Sequence, residues 1–518
     1  MNTSNFLSLP AAMFEDQEIL VFGEHRATYA ELLSRVRRLA SALSARGVAK
    51  GDRVGVLATN SHQYVECYYA AAMVGATFVP LNYRAKIHEL DHMISRAELK
   101  ILVFEERYRG TLAKLEGIPA GMRRVTLGGA SDADTESFEA LLASGTDDFE
   151  DIEVEETDTS ILMYTSGTTS LPKGVLLTFG DFTAYVVGTV DMADGEPRGA
   201  ALSCVPLYHI AGATNIMTSL WTGRKLVLLP QFDPAEWMET VQREKITHAF
   251  VVPTMMKKIL DHPEFASFDL SSLTNLSYGG APMPLPVIRR ALESFPSGCG
   301  FVNAFGQTET TSTLTVLGPD DHRLTGDAEK DELVLRRLSS IGRPLPDVEV
   351  KVVDDAGREL GRNETGEILV RTPRVMKGYA GNVEGGARTD DDGYLHTRDM
   401  GFIDEEGYVF LIGRADDMII RGGENIAPAE VEGVLQTHPA VDEVAVLGLA
   451  NEEWGQIVAA AVVLRPGQSA SHEELGEHCR ARLASFKKPE VVQIIDELPR
   501  NPLGKILRND LRKQLEGE

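Results

Sequence analysis

The sequence predicts an α/β fold in which a large N-terminal domain, carrying a small β subdomain, precedes a smaller α+β domain. Three observations lead there. Helix and strand signals alternate from early in the chain, short strands with turns take over from Val348 to Val370, and the pattern changes again after Arg414. The length agrees, because 518 residues exceed the roughly 100–200 typical of one domain.

The segment Thr28 to Gly47 places Leu32, Leu33, Val36, Leu39, Ala40 and Leu43 on one helical face. Thr28 and Glu31 form a capping box at its start, and Gly47 supplies a left-handed terminator. Arg53 to Ala58 reads as a buried strand, followed by a helical run to Val74 and strands at Thr77 to Pro80 and Ile101 to Glu106. Further apolar runs at Lys225 to Pro230, His248 to Thr254 and Gly300 to Gly306 end in turn-forming or polar residues, and ligand sites in such sheets lie beyond strand ends. The acidic stretch Thr146 to Asp158 reads as a solvated linker. Gly199 to Gly223 has no charged residue, yet Pro206, His209 and Asn215 make it strand, turn and helix rather than a membrane span. Beyond Arg414 come strands Glu443 to Ala450 and Ile457 to Arg465, a helix Ser471 to Phe486 and a strand Val491 to Asp496. The boundary falls between Gly413 and Asp417, giving domains 1–414 and 415–518.

Composition narrows the functions. With 43% hydrophobic and 25% charged residues most of the chain should fold. Lys plus Arg number 51 against 77 Asp plus Glu, a net charge of −26, which repels nucleic acid and anionic membranes as main partners. A phosphate-bearing substrate then needs a local cluster of cations or backbone donors. Cys67, Cys204, Cys299 and Cys479 are widely spaced and form no CxxC pair, so neither a disulfide framework nor a zinc site is indicated, and a reducing cytoplasm fits. The start MNTSNFLSLP lacks the basic and apolar pattern of a secretory signal. A homodimer is left open.

The most informative segment is YTSGTTSLPKGVLLT, Tyr164 to Thr178. Hydroxyls and backbone N–H groups of Thr165, Ser166, Thr168 and Thr169 can donate to phosphate oxygens, Gly167 and Gly174 permit close approach, and Lys173 adds a point charge. It is not a Walker A loop, since GxxxxGK[ST] is absent and no helix signal follows the lysine. Composition alone would favour a flexible surface loop.

Taken whole, SGTTxxPKG resembles the adenylate-forming superfamily of acyl-CoA synthetases, peptide-synthetase adenylation domains and luciferases. NAFGQTET (Asn303 to Thr310), HTRDMGFIDEEGYVFLIGRADDMIIRGGENIAPAEVE (His396 to Glu432) and NPLGKILR (Asn501 to Arg508) match its other signatures in order, and SYGGAPM (Ser277 to Met283) matches its adenine loop. The resemblance implies an N-terminal domain of two α/β layers plus the β subdomain, and a mobile C-terminal domain. It implies two half-reactions: a carboxylate attacks the α-phosphorus of ATP to give acyl-AMP and pyrophosphate, and a thiol then displaces AMP.

It also implies roles for individual residues. Gly279, Gly280 and Ala281 would border the adenine, Phe305 would cover its face beside Gly306, and Thr308 would contact the α-phosphate. Glu309 would hold Mg²⁺, with Thr165 beside the reacting phosphates. Asp399 would take the ribose hydroxyls with Arg414 in support, and Lys505 would neutralise charge at the pentacoordinate phosphorus. Relatives read TGD where this chain has Thr397, Arg398 and Asp399, so the position before the aspartate is expected not to require glycine. A hinge at Asp416 would turn the small domain to present Gly422 and Gly423 to a pantetheine arm.

Arg84, Trp454, Phe486 and Lys488 resemble positions that bind the nucleotide of coenzyme A, although core packing of the aromatics is an equal reading for each alone. His209 would line or gate the acyl pocket and orient the carboxylate, the other reading being a satisfied core histidine. Ala211, Gly212 and Ala304 are small, hinting at pocket room. The expected enzyme is an acyl-CoA synthetase for a medium- or long-chain fatty acid or an aryl acid. The rival is an adenylating enzyme that loads a carrier-protein phosphopantetheine or an amine.

Overall fold

A computed structural model describes residues 1–165, 171–381, 389–500 and 504–516. They form two compact units. The first comprises Met1–Leu338, Pro344–Val348 and Arg371–Arg388, and the second Ser339–Arg343, Glu349–Val370 and Thr389–Glu518. Ser166, Gly167, Thr168 and Thr169 of the expected phosphate loop lie outside the described residues.

The first unit is built on two sheets. In one, the neighbours run Ser312–Leu317, Gly300–Gln307, Asn275–Gly279, His248–Val251, Ala200–Ser203, Lys225–Leu228, Glu18–Phe22 and His25–Thr28, parallel from Gly300–Gln307 to Glu18–Phe22. In the other the order is Gly378–Tyr379, Lys173–Thr178, Thr159–Thr165, Thr77–Pro80, Arg53–Leu57, Ile101–Glu105, Arg123–Leu127 and Glu136–Ser137. Parallel neighbours require crossovers, and the helix His62–Val74 supplies the one from Arg53–Leu57 to Thr77–Pro80, while Tyr29–Ala45 carries the chain from one sheet to the other.

Local sequence rules explain the helix that links the two sheets. The capping box at Thr28 and Glu31 forms, and Gly47 sits at φ 83° just past the helix end. Leu32, Val36, Leu39 and Leu43 are buried, each contributing on the order of 1.5–3 kcal/mol relative to exposure. The apolar run at His248 stops being a strand at Val251, because Pro253 has no N–H for a ladder and instead opens the helix Pro253–Leu260. Gly199 to Gly223 forms the strand Ala200–Ser203, a turn and the helix Ile210–Thr222. No helix among the described residues is long and apolar enough to cross a membrane.

The second unit holds an antiparallel sheet in the order Glu349–Val353, Gly366–Arg371, Leu395–Ile403, Val409–Arg414. It also holds a sheet in the order Glu424–Ile426, Ile419–Arg421, Gly455–Leu464, Val441–Asn451, with Val491–Ile494 parallel to Gly455–Leu464. The expected helix Ser471 to Phe486 is shorter, His472–Arg480. Its apolar period continues through Leu483 and Phe486, but those side chains reach the core from a turn and a short 3₁₀ segment. All four cysteines are buried, and burial raises every thiol pKa, to about 12 for Cys204 and Cys299 and about 11 for Cys479.

Candidate active site

Thr165 and Lys173 face each other across the antiparallel hairpin of Thr159–Thr165 and Lys173–Thr178, and the Thr165 hydroxyl donates to the Lys173 carbonyl at 3.4 Å. A strand follows the lysine, as the absence of a Walker pattern implies. The hairpin therefore presents one hydroxyl and one ammonium at its loop end.

The strand Gly300–Gln307 carries Phe305 and Gly306 and runs into the 3₁₀ turn Thr308–Thr310, which contains Glu309. Gly306 occupies a bulge, and a Cβ there would lie 1.7 Å from the Ser312 carbonyl oxygen, so backbone contact excludes any side chain. Gly279 pairs with Ala304, and a Cβ on it would meet the Ala304 carbonyl at 2.2 Å. The expected adenine loop, Gly279, Gly280 and Ala281, thus ends one strand beside the strand that carries Phe305.

Two residues that the sequence reading did not single out organise this region. Arg374 is fully buried. It donates through Nε and Nη2 to Asp347 at 2.6 and 3.1 Å and through Nη1 to the Thr310 carbonyl at 3.1 Å, while Thr311 donates back to the Arg374 carbonyl at 3.0 Å. Tyr379 pairs with Val175, donates its hydroxyl to Glu309 Oε1 at 2.8 Å, and has the Lys173 ammonium 5.7 Å from its ring centre. The segment Arg374–Tyr379 thereby joins the Glu309 turn to the phosphate-loop hairpin. A donor such as Tyr379 carries no charge of its own and orients the Glu309 carboxyl group, an oxygen ligand that suits a divalent cation such as Mg²⁺.

His209 is the N-cap residue of the helix Ile210–Thr222. Burial, with the Arg84 cation adding to it, pushes its imidazole down to about 3, so it is neutral, and its Nε2 is buried with no hydrogen-bond partner. The ring lies 4.3 Å from that of Tyr208, which lies 5.3 Å from Tyr83, and both tyrosine hydroxyls are likewise buried and unpartnered. The Nε2 is therefore not that of a satisfied core histidine. Arg84 is exposed, stacks 5.4 Å over Tyr83 and donates to Gln231 at 3.3 Å. Gly212 does not mark pocket room: a Cβ on it would strike Leu207 Cα at 2.7 Å and the Pro206 carbonyl at 2.8 Å, so helix-to-turn packing demands it.

In the second unit Asp399 and Arg414 are cross-strand partners, 3.2 Å apart, with Asp399 only 7% exposed. Thr397 orients the aspartate, accepting from its N–H at 3.1 Å while donating to the Ile368 carbonyl at 2.6 Å. Arg414 Nε is buried and unpartnered, a donor available to a sugar hydroxyl. Arg398 corrects the expectation for its position. Its φ is 64°, in the left-handed region that favours glycine, and the arginine is held there by an ion pair with Asp416 and by its N–H to Glu367 at 3.1 Å. We expect Arg398→Gly to be more stable than Arg398→Ala by about 1 kcal/mol in urea unfolding. The order usual for a strand, alanine above glycine, would overturn the strain assignment.

Gly422 and Gly423, at φ 58° and 89°, form the two-residue turn between Ile419–Arg421 and Glu424–Ile426, a geometry that itself requires residues tolerant of positive φ. Trp454 is 40% exposed with the Arg421 guanidinium 4.7 Å over its ring, whereas Phe486 is half-buried against the core. Lys488 is partly exposed. Lys505 is exposed as a residue, yet crowding by protein atoms, and then the neighbouring Arg414 charge, lower its pKa from the ordinary 10.5, while Asp417 and Asp399 oppose the shift. Lys505, Asp399 and Arg414 thus form one electrostatic group.

Apart from these residues, His25, His62 and Glu66 offer ligand atoms within 4.8 Å of one another. The two rings stack 3.8 Å apart at 17°, which sends their lone pairs into parallel planes rather than to one point, and Arg35 donates to both Glu66 oxygens at 2.7 and 3.1 Å. That group reads as structural.

Comparison with known proteins agrees with the motifs. Residues 8–380 match the family of AMP-binding enzymes, and residues 430–505 match the AMP-binding enzyme C-terminal domain. The chain is 37% identical over 488 residues to a feruloyl-CoA synthase of Amycolatopsis, covering 94% of each protein. It is 34% identical to the indoleacetate–CoA ligase of Aromatoleum aromaticum, covering 99% of this chain and 98% of the relative. Among solved structures, o-succinylbenzoate CoA synthetase from Bacillus subtilis with its acyl-adenylate intermediate is 31% identical, with a TM-score of 0.82 and 98% of both chains covered. These matches span both units, and the chain belongs to the AMP-binding, adenylate-forming enzymes, the family of its acid–CoA ligase relatives.

Proposed function

We propose that the protein is an ATP- and Mg²⁺-dependent acyl-CoA synthetase that activates an aryl or medium- to long-chain carboxylic acid and transfers it to coenzyme A. The observation that carries this reading is the grouping of Lys173 and Glu309 around Tyr379 at the loop end of the hairpin of Thr159–Thr165 and Lys173–Thr178. It offers a cation for phosphate oxygens and a carboxylate for Mg²⁺, which when bound neutralises phosphate charge. Thr165 and Thr308 add hydroxyls, Phe305 offers an aromatic face for adenine, and Asp399 with Arg414 offers acceptor and donor to the ribose.

In the first half-reaction the carboxylate oxygen bonds to the α-phosphorus as the bond to the pyrophosphate oxygen breaks, with Lys505 stabilising the charge that develops. In the second, the thiol sulfur attacks the acyl carbon, its proton is lost, and AMP leaves. We place a hinge at Asp416, between domains 1–414 and 415–518, so that Lys505 can withdraw and the Gly422–Gly423 turn can approach the pantetheine arm. Arg84, Trp454, Phe486 and Lys488 are our candidates for the coenzyme A nucleotide. Trp454 is the strongest of them, being exposed with a cation over its face.

The unpartnered polar atoms of His209, Tyr208 and Tyr83 support an aryl acid bearing a hydrogen-bonding group, as do relatives named for feruloyl and indoleacetate substrates. An amide bond synthetase from Marinactinospora thermotolerans, 29% identical at a TM-score of 0.87, supports the rival in which an amine accepts the acyl group. The test is ATP-dependent pyrophosphate release over a panel of aryl and fatty acids, with and without coenzyme A. We expect release with hydroxylated aryl acids, and thioester plus AMP only when coenzyme A is present. Release that coenzyme A does not change would transfer the assignment to an amine or a carrier protein.

A further inference from the structure

We infer that Tyr379 is a positioning residue that holds the phosphate-binding lysine and the cation-binding carboxylate apart and so preserves both charges for Mg²⁺-ATP. The inference rests on the proposed roles of Lys173 and Glu309.

The two residues approach the same side chain from different elements. Glu309 lies in the 3₁₀ turn Thr308–Thr310 and receives the Tyr379 hydroxyl at 2.8 Å. Lys173 begins the strand Lys173–Thr178, and its ammonium sits 5.7 Å from the Tyr379 ring centre. No ion pair joins Lys173 to Glu309 among the described residues. An ammonium and a carboxylate this close to a common group attract each other more strongly once partly shielded from water, and pairing would remove the positive charge from the phosphates and the negative charge from the cation. Tyr379 offers each an alternative: the π-face takes the ammonium, and the hydroxyl takes one carboxylate oxygen without neutralising it.

The backbone fixes the tyrosine in that place. Gly378 and Tyr379 pair with Leu176 and Val175, Ala380 N–H donates to the Gly174 carbonyl at 2.8 Å, and Met376 N–H donates to the Glu309 carbonyl at 2.8 Å. The same short segment therefore carries the lysine strand on one side and the glutamate turn on the other, and Arg374 anchors its start to Thr310 and Asp347. A shift of the segment would move all three groups together, which keeps their spacing constant.

The test uses the full chain and measures ATP affinity by calorimetry as Mg²⁺ is titrated, together with ATP affinity in the absence of divalent ions. Tyr379→Phe keeps the ring and loses only the hydroxyl. We expect it to raise the Mg²⁺ concentration for half-maximal ATP binding by about tenfold, the lower end of the effect of losing a partner that orients a metal ligand, with metal-free ATP affinity unchanged. Tyr379→Leu removes the ring as well, and should weaken metal-free ATP binding too, as Lys173 turns to Glu309. Thermal melting confirms that each variant is folded.

Glu309→Gln is measured alongside. If it shifts the Mg²⁺ response and Tyr379→Phe does not, the inference fails and the assignment of Glu309 stands. If Glu309→Gln leaves the Mg²⁺ response unchanged, both fail. If Tyr379→Phe weakens metal-free and Mg²⁺-dependent binding equally, Tyr379 has a merely structural role and the inference is again overturned.

Discussion

Lys505→Ala is expected to lower acid-dependent pyrophosphate release by at least about a hundredfold, the loss that follows removal of one preorganised group facing transition-state charge. Thioester formation from supplied acyl-AMP and coenzyme A should be spared, because the proposed second half-reaction uses the enzyme after Lys505 has withdrawn. Stopped-flow measurement of each half-reaction separates the two. Equal loss of both steps would overturn the proposed domain alternation. The charged state of Lys505 sets a second expectation. Crowding and Arg414 lower its pKa from 10.5, so adenylation should decline toward high pH below 10.5, and the thioester step should not follow that decline.

Arg374→Met is expected to destabilise the protein by about 3 kcal/mol, the scale for removing one member of a shielded ion pair. The substitution strands Asp347, which is 32% exposed, and leaves the Thr310 carbonyl without its guanidinium donor. Urea unfolding measures the loss, and Arg374→Met combined with Asp347→Asn should recover part of it. The sign of the pH dependence follows from Asp347. Burial raises its carboxyl, but Arg374 outweighs burial and holds the pKa below its usual 3.8. A depressed carboxylate stabilises the fold above its unfolded pKa and loses that contribution as pH falls through the folded value. The gap between wild type and Arg374→Met should therefore narrow as pH drops below 3.8, and a constant gap would show that the pair is not what the substitution removes.

The parts of the molecule that the sequence made legible are those whose information is local. Thr28, Glu31 and Gly47 mark a helix because capping and left-handed termination depend on neighbours within a turn or two. The hairpin of Thr165 and Lys173 and the turn of Glu309 were legible for a different reason: long strings of specific residues identify the superfamily. Arg374 and Tyr379 carried no such signal. One follows a proline in RTPR and the other sits in a plain GYA, and each gains meaning only from partners far along the chain, Asp347 and Thr310 for one and Val175, Lys173 and Glu309 for the other. Arg398 shows the opposite limit, since a non-glycine residue in the sequence hides a backbone position that favours glycine. The backbone still adopts the glycine-like φ, and the ion pair with Asp416 helps keep it there.

The burial of all four cysteines bears on the chemistry that this family performs. An acyl-adenylate is a mixed anhydride that acylates any accessible thiolate, and an enzyme that makes one exposes itself to modification by its own intermediate. Cys67, Cys204, Cys299 and Cys479 are enclosed and held protonated, their pKa values raised by burial, to about 12 for Cys204 and Cys299, to about 11 for Cys479 and well above the ordinary thiol value for Cys67. The protein thus presents no thiolate to compete with an incoming thiol acceptor, and its own sulfur stays out of reach of self-acylation.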